Sequence, residues 1–172
     1  MKGHLIRVEA EVDGVDPALA KAQAFAKDDP GNNIYDLISA ELYEKAGRPK
    51  DAITLLEKAI ATHPSDDALA IALSRLYTQA GDLAKAEAVL NRRMTAEPKS
   101  STVPGALARL YLTTGRSDEA KKIYTDILSQ RPADVGALVG LGEIAAAERK
   151  WPEATHFITR RAPLLQAIHD PG

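Results

Sequence analysis

The sequence predicts an all-α fold of stacked antiparallel helical hairpins, and three observations carry the prediction. Residue types recur at a fixed step of 34 along a chain of 172 residues. Each repeat carries one helix-ending signal and one helix-starting signal. Apolar residues make up 45% of the chain but aromatics only 5%, so the core must be built from Ala, Leu, Ile and Val, as suits helices in close approach rather than a sheet.

The period is seen in four series that share one phase. Pro30, Pro64, Pro98 and Pro132 are 34 apart, as are Tyr43, Tyr77 and Tyr111, and Gly47, Gly81 and Gly115. Ala18, Ala52, Ala86, Ala120 and Ala154 keep the same step. Each unit reads as two helices. In the first full unit Ile34, Leu37, Ile38, Leu42 and Tyr43 recur at helical spacing until Gly47, a helix-ending residue. Pro49 suits a first helical turn, and Ala52, Leu55, Leu56, Ala59 and Ile60 form the stripe of a second helix. Pro64 closes that helix, and Ser65-Asp66-Asp67 offers capping oxygens to the next. The next unit repeats the scheme with Leu73, Tyr77, Gly81, Ala86, Leu90 and Pro98, and the third with Leu107, Ala108, Tyr111, Gly115, Ala120, Tyr124 and Pro132.

These positions resemble the tetratricopeptide repeat (TPR), whose first helix carries a large residue, a small one and then Tyr before a turn glycine. Small residues such as Ala40, Ala108 and Gly142 let paired helices touch, with Ala52, Ala86 and Ala120 opposite. The resemblance covers residues 14–162 and implies a right-handed superhelix of antiparallel hairpins. One TPR domain is expected over 1–172: a partial repeat at 1–32, full repeats at 33–66, 67–100 and 101–134, a degenerate repeat at 135–166 and a tail at 167–172. The fourth unit has Arg149 for the turn glycine, Ala145 for Tyr and Gln166 for the closing proline. At the other end, Leu5 to Val12 reads as too short and too charged for a first helix, as though the chain began inside a repeat of a longer array. Uncovered apolar seams at such ends predict fast amide exchange at 1–15 and 163–172, or end-to-end self-association.

The runs Gly142-Glu143-Ile144-Ala145, Trp151-Pro152-Glu153-Ala154 and Ala86 to Asn91 are also similar to the TPR lipoproteins of exosortase and PEP-CTERM sorting systems. That resemblance implies a periplasmic location within a bacterial envelope or exopolysaccharide assembly; without it the expectation is cytoplasmic.

Several function classes find no support. Net charge is −2, without the basic stripe of a nucleic-acid binder. No apolar run reaches the length of a membrane span, so direct membrane insertion is not expected. Cysteine is absent, which removes thiolate chemistry and Cys-based metal sites. His4, His63, His156 and His169 share no metal-ligand spacing with one another, and His63 reads as a cation at a helix C-terminus. Trp151 reads as seam packing. Gly140-Leu141-Gly142-Glu143-Ile144-Ala145 imitates a dinucleotide fingerprint, but Gly142 falls on the small-residue position and no acidic ribose ligand or further βα unit follows. No catalytic residue, metal or cofactor is therefore expected, and the chain is not read as an enzyme.

Function is expected on the concave surface, which in the TPR family is lined by first helices. The candidate groove residues are Ile34, Leu37, Glu41, Ile71, Arg75, Thr78, Arg109, Leu112, Val139 and Glu143, with Glu44 lower on the same face. The apolar members would form a patch of the kind that marks a partner site. Glu41, Arg75, Arg109 and Glu143 read first as a ladder of weak ion pairs and second as an arginine fork for a ligand carboxylate. TPR clamps for chaperone tails use Lys and Asn where this chain has Leu37, Glu41, Ala72, Thr102 and Ala106, which argues against that ligand. The expected function is a non-catalytic scaffold for a peptide or helix of a partner protein; the alternative is a spacer within a longer array.

Overall fold

The computed structural model describes residues 2–98, 100, 102–157 and 159. Gln166 and the tail at 167–172 lie outside them. The described residues form helices joined by turns, with no strand among them. They divide into two compact units, Met1–Pro98 and Lys99–Gly172.

The first unit holds three hairpins: α1 (Lys2–Val12) with α2 (Val15–Asp28), α3 (Ile34–Lys45) with α4 (Pro49–Thr62), and α5 (Asp67–Gln79) with α6 (Leu83–Ala96). Each second helix also packs on the first helix of the following hairpin, α2 on α3 and α4 on α5. The second unit holds α7 (Val103–Thr113), α8 (Ser117–Gln130) and α9 (Val135–Ala147), with residues 151–157 helical after them. Within it α8 packs on both α7 and α9.

The alanine series lies in the buried helix seams. Ala18, Ala52, Ala86 and Ala120 are completely buried, and Ala154 nearly so. A methyl group there lets two helix backbones come close, while Leu and Ile from neighbouring turns fill the space beside them. In the first unit Ile6, Ala18, Leu19, Ala22, Tyr35, Ile38 and Leu42 form one cluster shared by α1, α2 and α3.

The stretch at Leu5–Val12 differs from expectation, because it is helical as α1. Ile6 supplies the reason: it is fully buried where later repeats carry Ala40 and Ser74, and anchors the helix in that cluster. Its charges are held across helices, Arg7 by Glu41 at 3.1 Å and Glu9 by Lys21.

Helix ends follow from the turn residues. After α3 the N–H of Gly47 donates to the carbonyl of Glu44 and that of Arg48 to the carbonyl of Tyr43, the paired bonds of a Schellman motif. The same pair recurs at Gly81–Asp82, Gly115–Arg116 and Arg149–Lys150. The motif needs a left-handed residue, which Gly47, Gly81 and Gly115 supply at φ of 70°, 81° and 79°. Arg149 adopts φ 60° in the same place. The degenerate unit thus keeps the turn at a conformational cost of about 1–2 kcal/mol. Asp66 and Asp134 cap α5 and α9, accepting from Leu69 N and Ala137 N at 2.9 Å.

Candidate interaction surfaces

In the first unit, α3 carries Ile34, Leu37 and Glu41 and α5 carries Ile71, Arg75 and Thr78, with Glu41 and Arg75 the members of the charged row found here. Ile34 is 41% exposed at the start of α3. Leu37 and Ile71 are half-buried, as is Thr78, whose hydroxyl donates to the carbonyl of Ser74 at 2.8 Å.

The charged candidates of this unit, Glu41, Glu44 and Arg75, are already partnered. Glu41 accepts from Arg7 Nη2 and Nε at 3.1 and 3.3 Å and lies 3.6 Å from Lys45 Nζ. Arg75 grips Glu44 with two bonds, Nη1 to Oε1 at 2.7 Å and Nη2 to Oε2 at 2.5 Å. The amide of Gln79, oriented with its nitrogen towards Glu44, completes the group at 3.0 Å. The hydrogen bond that the Arg75 guanidinium donates to Glu44 foremost holds its pKa above the ordinary value, and burial opposes it. The ladder is therefore present here but one turn lower than expected. Arg75 bonds Glu44, the fork matching the carboxylate in plane, while Glu41 is taken up by Arg7 and Lys45. At 51% side-chain exposure for Arg75, the pair is worth about 1 kcal/mol or less.

In the second unit Leu112 and Val139 are half-buried, and Arg109 and Glu143 are exposed. Among the described residues neither of these two has an ion-pair partner. Both lie near the Tyr124 phenol, which burial holds above its usual pKa, Arg109 lowering it and Glu143 raising it. Tyr124 is 2% exposed because it covers the backbone of Gly140, where an added Cβ would sit 2.2 Å from the ring. The glycine-rich run Gly140–Ala145 lies wholly within α9, not at a strand-to-helix turn, so its amides are spent on the helix.

One surface escapes the sequence pattern. Two adjoining cavities of about 420 and 350 Å³ open between α4 and α6, over a floor of Ile60, Ala70, Leu73 and Tyr77. The Tyr77 hydroxyl donates to Glu57 at the rim; burial, then that bond, push its pKa up to about 12. Lys85 Nζ lies 5.3 Å from the ring centroid, and similar cations cover Tyr43 and Tyr111 (Arg48 at 4.8 Å, Arg116 at 4.0 Å). Arg93, almost wholly buried nearby, pairs with Asp67 at 2.6 Å. The signal in the sequence was Arg93 itself, a charge where the repeat 34 residues later has Ile127.

Other sequence readings resolve locally. Trp151 is 60% exposed, not seam packing, like Leu83 two repeats earlier at 43%: both open a second helix with the side chain outward. His63 caps the end of α4, its Nδ1 2.9 Å from the Thr62 hydroxyl. Among the described residues no group of three or more His, Cys, Asp or Glu is placed to hold a metal, and no helix is long and apolar enough to cross a membrane.

Hairpins of near-equal helices, joined by a left-handed turn and seamed by buried alanine, define an α-helical hairpin-repeat protein. Two tetratricopeptide repeat family models match, one over residues 43–110 and the other over 9–67 and 106–157. The chain belongs to the tetratricopeptide repeat family. Among solved structures it is similar to a thermophilic TPR protein of Thermus thermophilus, with 27% identity, TM-score 0.64 and coverage of 84% of this chain and 78% of that one. It is also similar in fold to MamA, at 19% identity, TM-score 0.66 and 94% coverage of both chains. PilW, described as a type IV pilus biogenesis factor, matches at 16% identity and TM-score 0.70, covering 96% of this chain and 76% of its own. No curated protein matches the sequence. TPR proteins are in general non-catalytic scaffolds for protein partners.

Proposed function

We propose that the chain binds a peptide or helix of a partner protein along the first-helix faces, and that apolar contact supplies most of the affinity. The observation that carries this is the contrast within the first unit. Ile34, Leu37 and Ile71 keep apolar surface in water, whereas Glu41, Glu44 and Arg75 are already held in ion pairs. Burying the first group gains free energy from water; recruiting the second requires breaking an existing pair. Taken by itself, the second unit carries half-buried Leu112 and Val139 on its first helices, with exposed Arg109 and Glu143 as charges for orienting a ligand there. Affinity capture with the intact chain and a Leu37→Ala/Ile71→Ala control, each followed by mass spectrometry, tests the reading. A specific partner should be held by the first and lost by the second; equal capture by both would refute it.

The alternative, a spacer in a longer array, draws on the exposed apolar residues of α1. The likeness in fold to PilW, a pilus biogenesis factor, and the resemblance to exosortase-associated lipoproteins favour an envelope assembly as the setting of such an array.

A further inference from the structure

The two cavities between α4 and α6, about 420 and 350 Å³, are of ligand-pocket size. They lie where this repeat departs from its neighbours. Ala61, Ala88 and Ala96 line their walls and are exposed. One repeat to either side, the same positions hold Lys27 and Thr95, Thr54 and Lys122, and Thr62 and Gln130. A methyl group cannot roof the space as the stem of a lysine or glutamine would. The cleft is therefore open above its apolar floor of Ile60 and Ala70.

Three polar groups of the lining say what fits there. Arg92 lines both cavities, is exposed, and has no ion pair among the described residues. Arg93 is 8% exposed and lines the larger cavity; Asp67 lies 2.6 Å from its Nε, yet that buried nitrogen makes no hydrogen bond. Glu57 faces both cavities from α4 and accepts the Tyr77 hydroxyl on Oε1, while its Oε2 accepts from no described residue. The matching groups are a carboxylate for Arg92, a carbonyl oxygen for Arg93, an N–H for Glu57 and an apolar side chain over the floor. One stretch of polypeptide supplies all four. A simple carboxylate such as a fatty acid has no N–H to give Glu57.

We propose that the α4–α6 cleft binds a segment of a partner polypeptide in which an acidic and an apolar side chain are close neighbours. The carboxylate meets Arg92, the apolar side chain enters the larger cavity against Ile60, Ala61 and Ala70, and the main chain bonds to Glu57 and Arg93. The cleft is walled by second helices, whereas the groove candidates lie on first helices, so either site can fail without the other.

The probe is the peptide acetyl-Ala-Leu-Glu-Leu-Ala-amide, titrated into the isotope-labelled full-length chain and followed by amide shifts. Saturable binding is expected, with the largest shifts in α4 and α6. Arg92→Glu should weaken it at least about tenfold. Ala61→Thr/Ala96→Gln, which installs the residue types of Thr95 and Gln130 on the walls, should do the same. All three positions are exposed, so both variants should keep the melting temperature. Replacing the glutamate of the peptide by glutamine should cost about tenfold with the parent chain and nothing with Arg92→Gln. Leu37→Ala/Ile71→Ala should leave binding unchanged. Absence of saturable binding, largest shifts in α3, or binding indifferent to the Arg92 and wall substitutions overturns the proposal. So does octanoate binding in the cleft as tightly as the peptide, since the occupant would then be a simple carboxylate.

Discussion

Gly140→Ala adds one methyl group at the point where Tyr124 lies on the backbone of α9. The new Cβ would stand 2.2, 2.4 and 2.7 Å from three ring carbons, against ordinary contacts of 3.4–4 Å. The ring must therefore retreat by more than 1 Å, and at 2% exposure it has little room to do so. Overpacking of this kind costs about 1–3 kcal/mol, and occasionally more. Against it stands a helix-propensity gain of about 1 kcal/mol for replacing glycine. A net loss of about 0–2 kcal/mol is expected, a fall of up to several degrees in melting temperature for a domain of this size. Tyr124→Leu alone should also destabilise, by opening a cavity. Combining the two recreates the Leu56 and Ala72 pairing of an earlier repeat, so the double variant should be more stable than the sum of the single losses implies, by about 1 kcal/mol or more. Urea unfolding of the four proteins measures the cycle. Strict additivity, or a Gly140→Ala variant more stable than the parent, would refute the idea that ring and glycine form one matched pair.

Three further outcomes follow from the same geometry. Arg149→Gly should raise stability by about 1 kcal/mol, because it relieves a left-handed side-chain residue at φ 60°; thermal unfolding reads it, and a loss would place the value of Arg149 in its side chain. Asp82 caps α6 by accepting from Lys85 N at 3.2 Å, and that backbone bond foremost lowers its pKa below 3.8. A depressed folded-state pKa means that the stabilisation is complete above about pH 4 and is lost as pH falls through the folded value, so Asp82→Asn should flatten the acid limb of a melting-temperature profile below about pH 4. Glu44→Gln should cost about 1 kcal/mol or less in stability while raising the salt sensitivity of partner binding, since it frees Arg75 to meet the ligand; unchanged salt dependence would contradict that role.

Much of the fold was legible because TPR packing is written locally. Ala52, Ala86 and Ala120 are dictated by helix approach, and Gly47, Gly81 and Gly115 by a left-handed turn, so period alone places them. The α1 helix was not legible, because its short span mixes Lys2, Arg7, Glu9 and Glu11 with apolar residues; only the packing of Ile6 and the cross-helix pairs of Arg7 and Glu9 make it stable. The candidate groove residues fall on α3, α5, α7 and α9, but their ion pairs were not legible, since long side chains reach a turn up or down the neighbouring helix. Arg75 met Glu44 rather than Glu41 for that reason. The cleft between α4 and α6 is lined from three helices, Ile60, Ala70 and Val89 among them, which no single-helix pattern records.

The central claim, that apolar contact on the first helices carries partner binding, is tested most directly by titration calorimetry of the captured partner against paired variants at two salt concentrations. Leu37→Ala/Ile71→Ala should weaken binding by about 1–3 kcal/mol in sum, the half-buried state of both side chains limiting the area they can still lose to a ligand. Arg75→Ala/Arg109→Ala should cost less, and should reduce the salt dependence. Abolished binding from the arginine pair beside a neutral apolar pair would contradict the account and make the surface a carboxylate receptor.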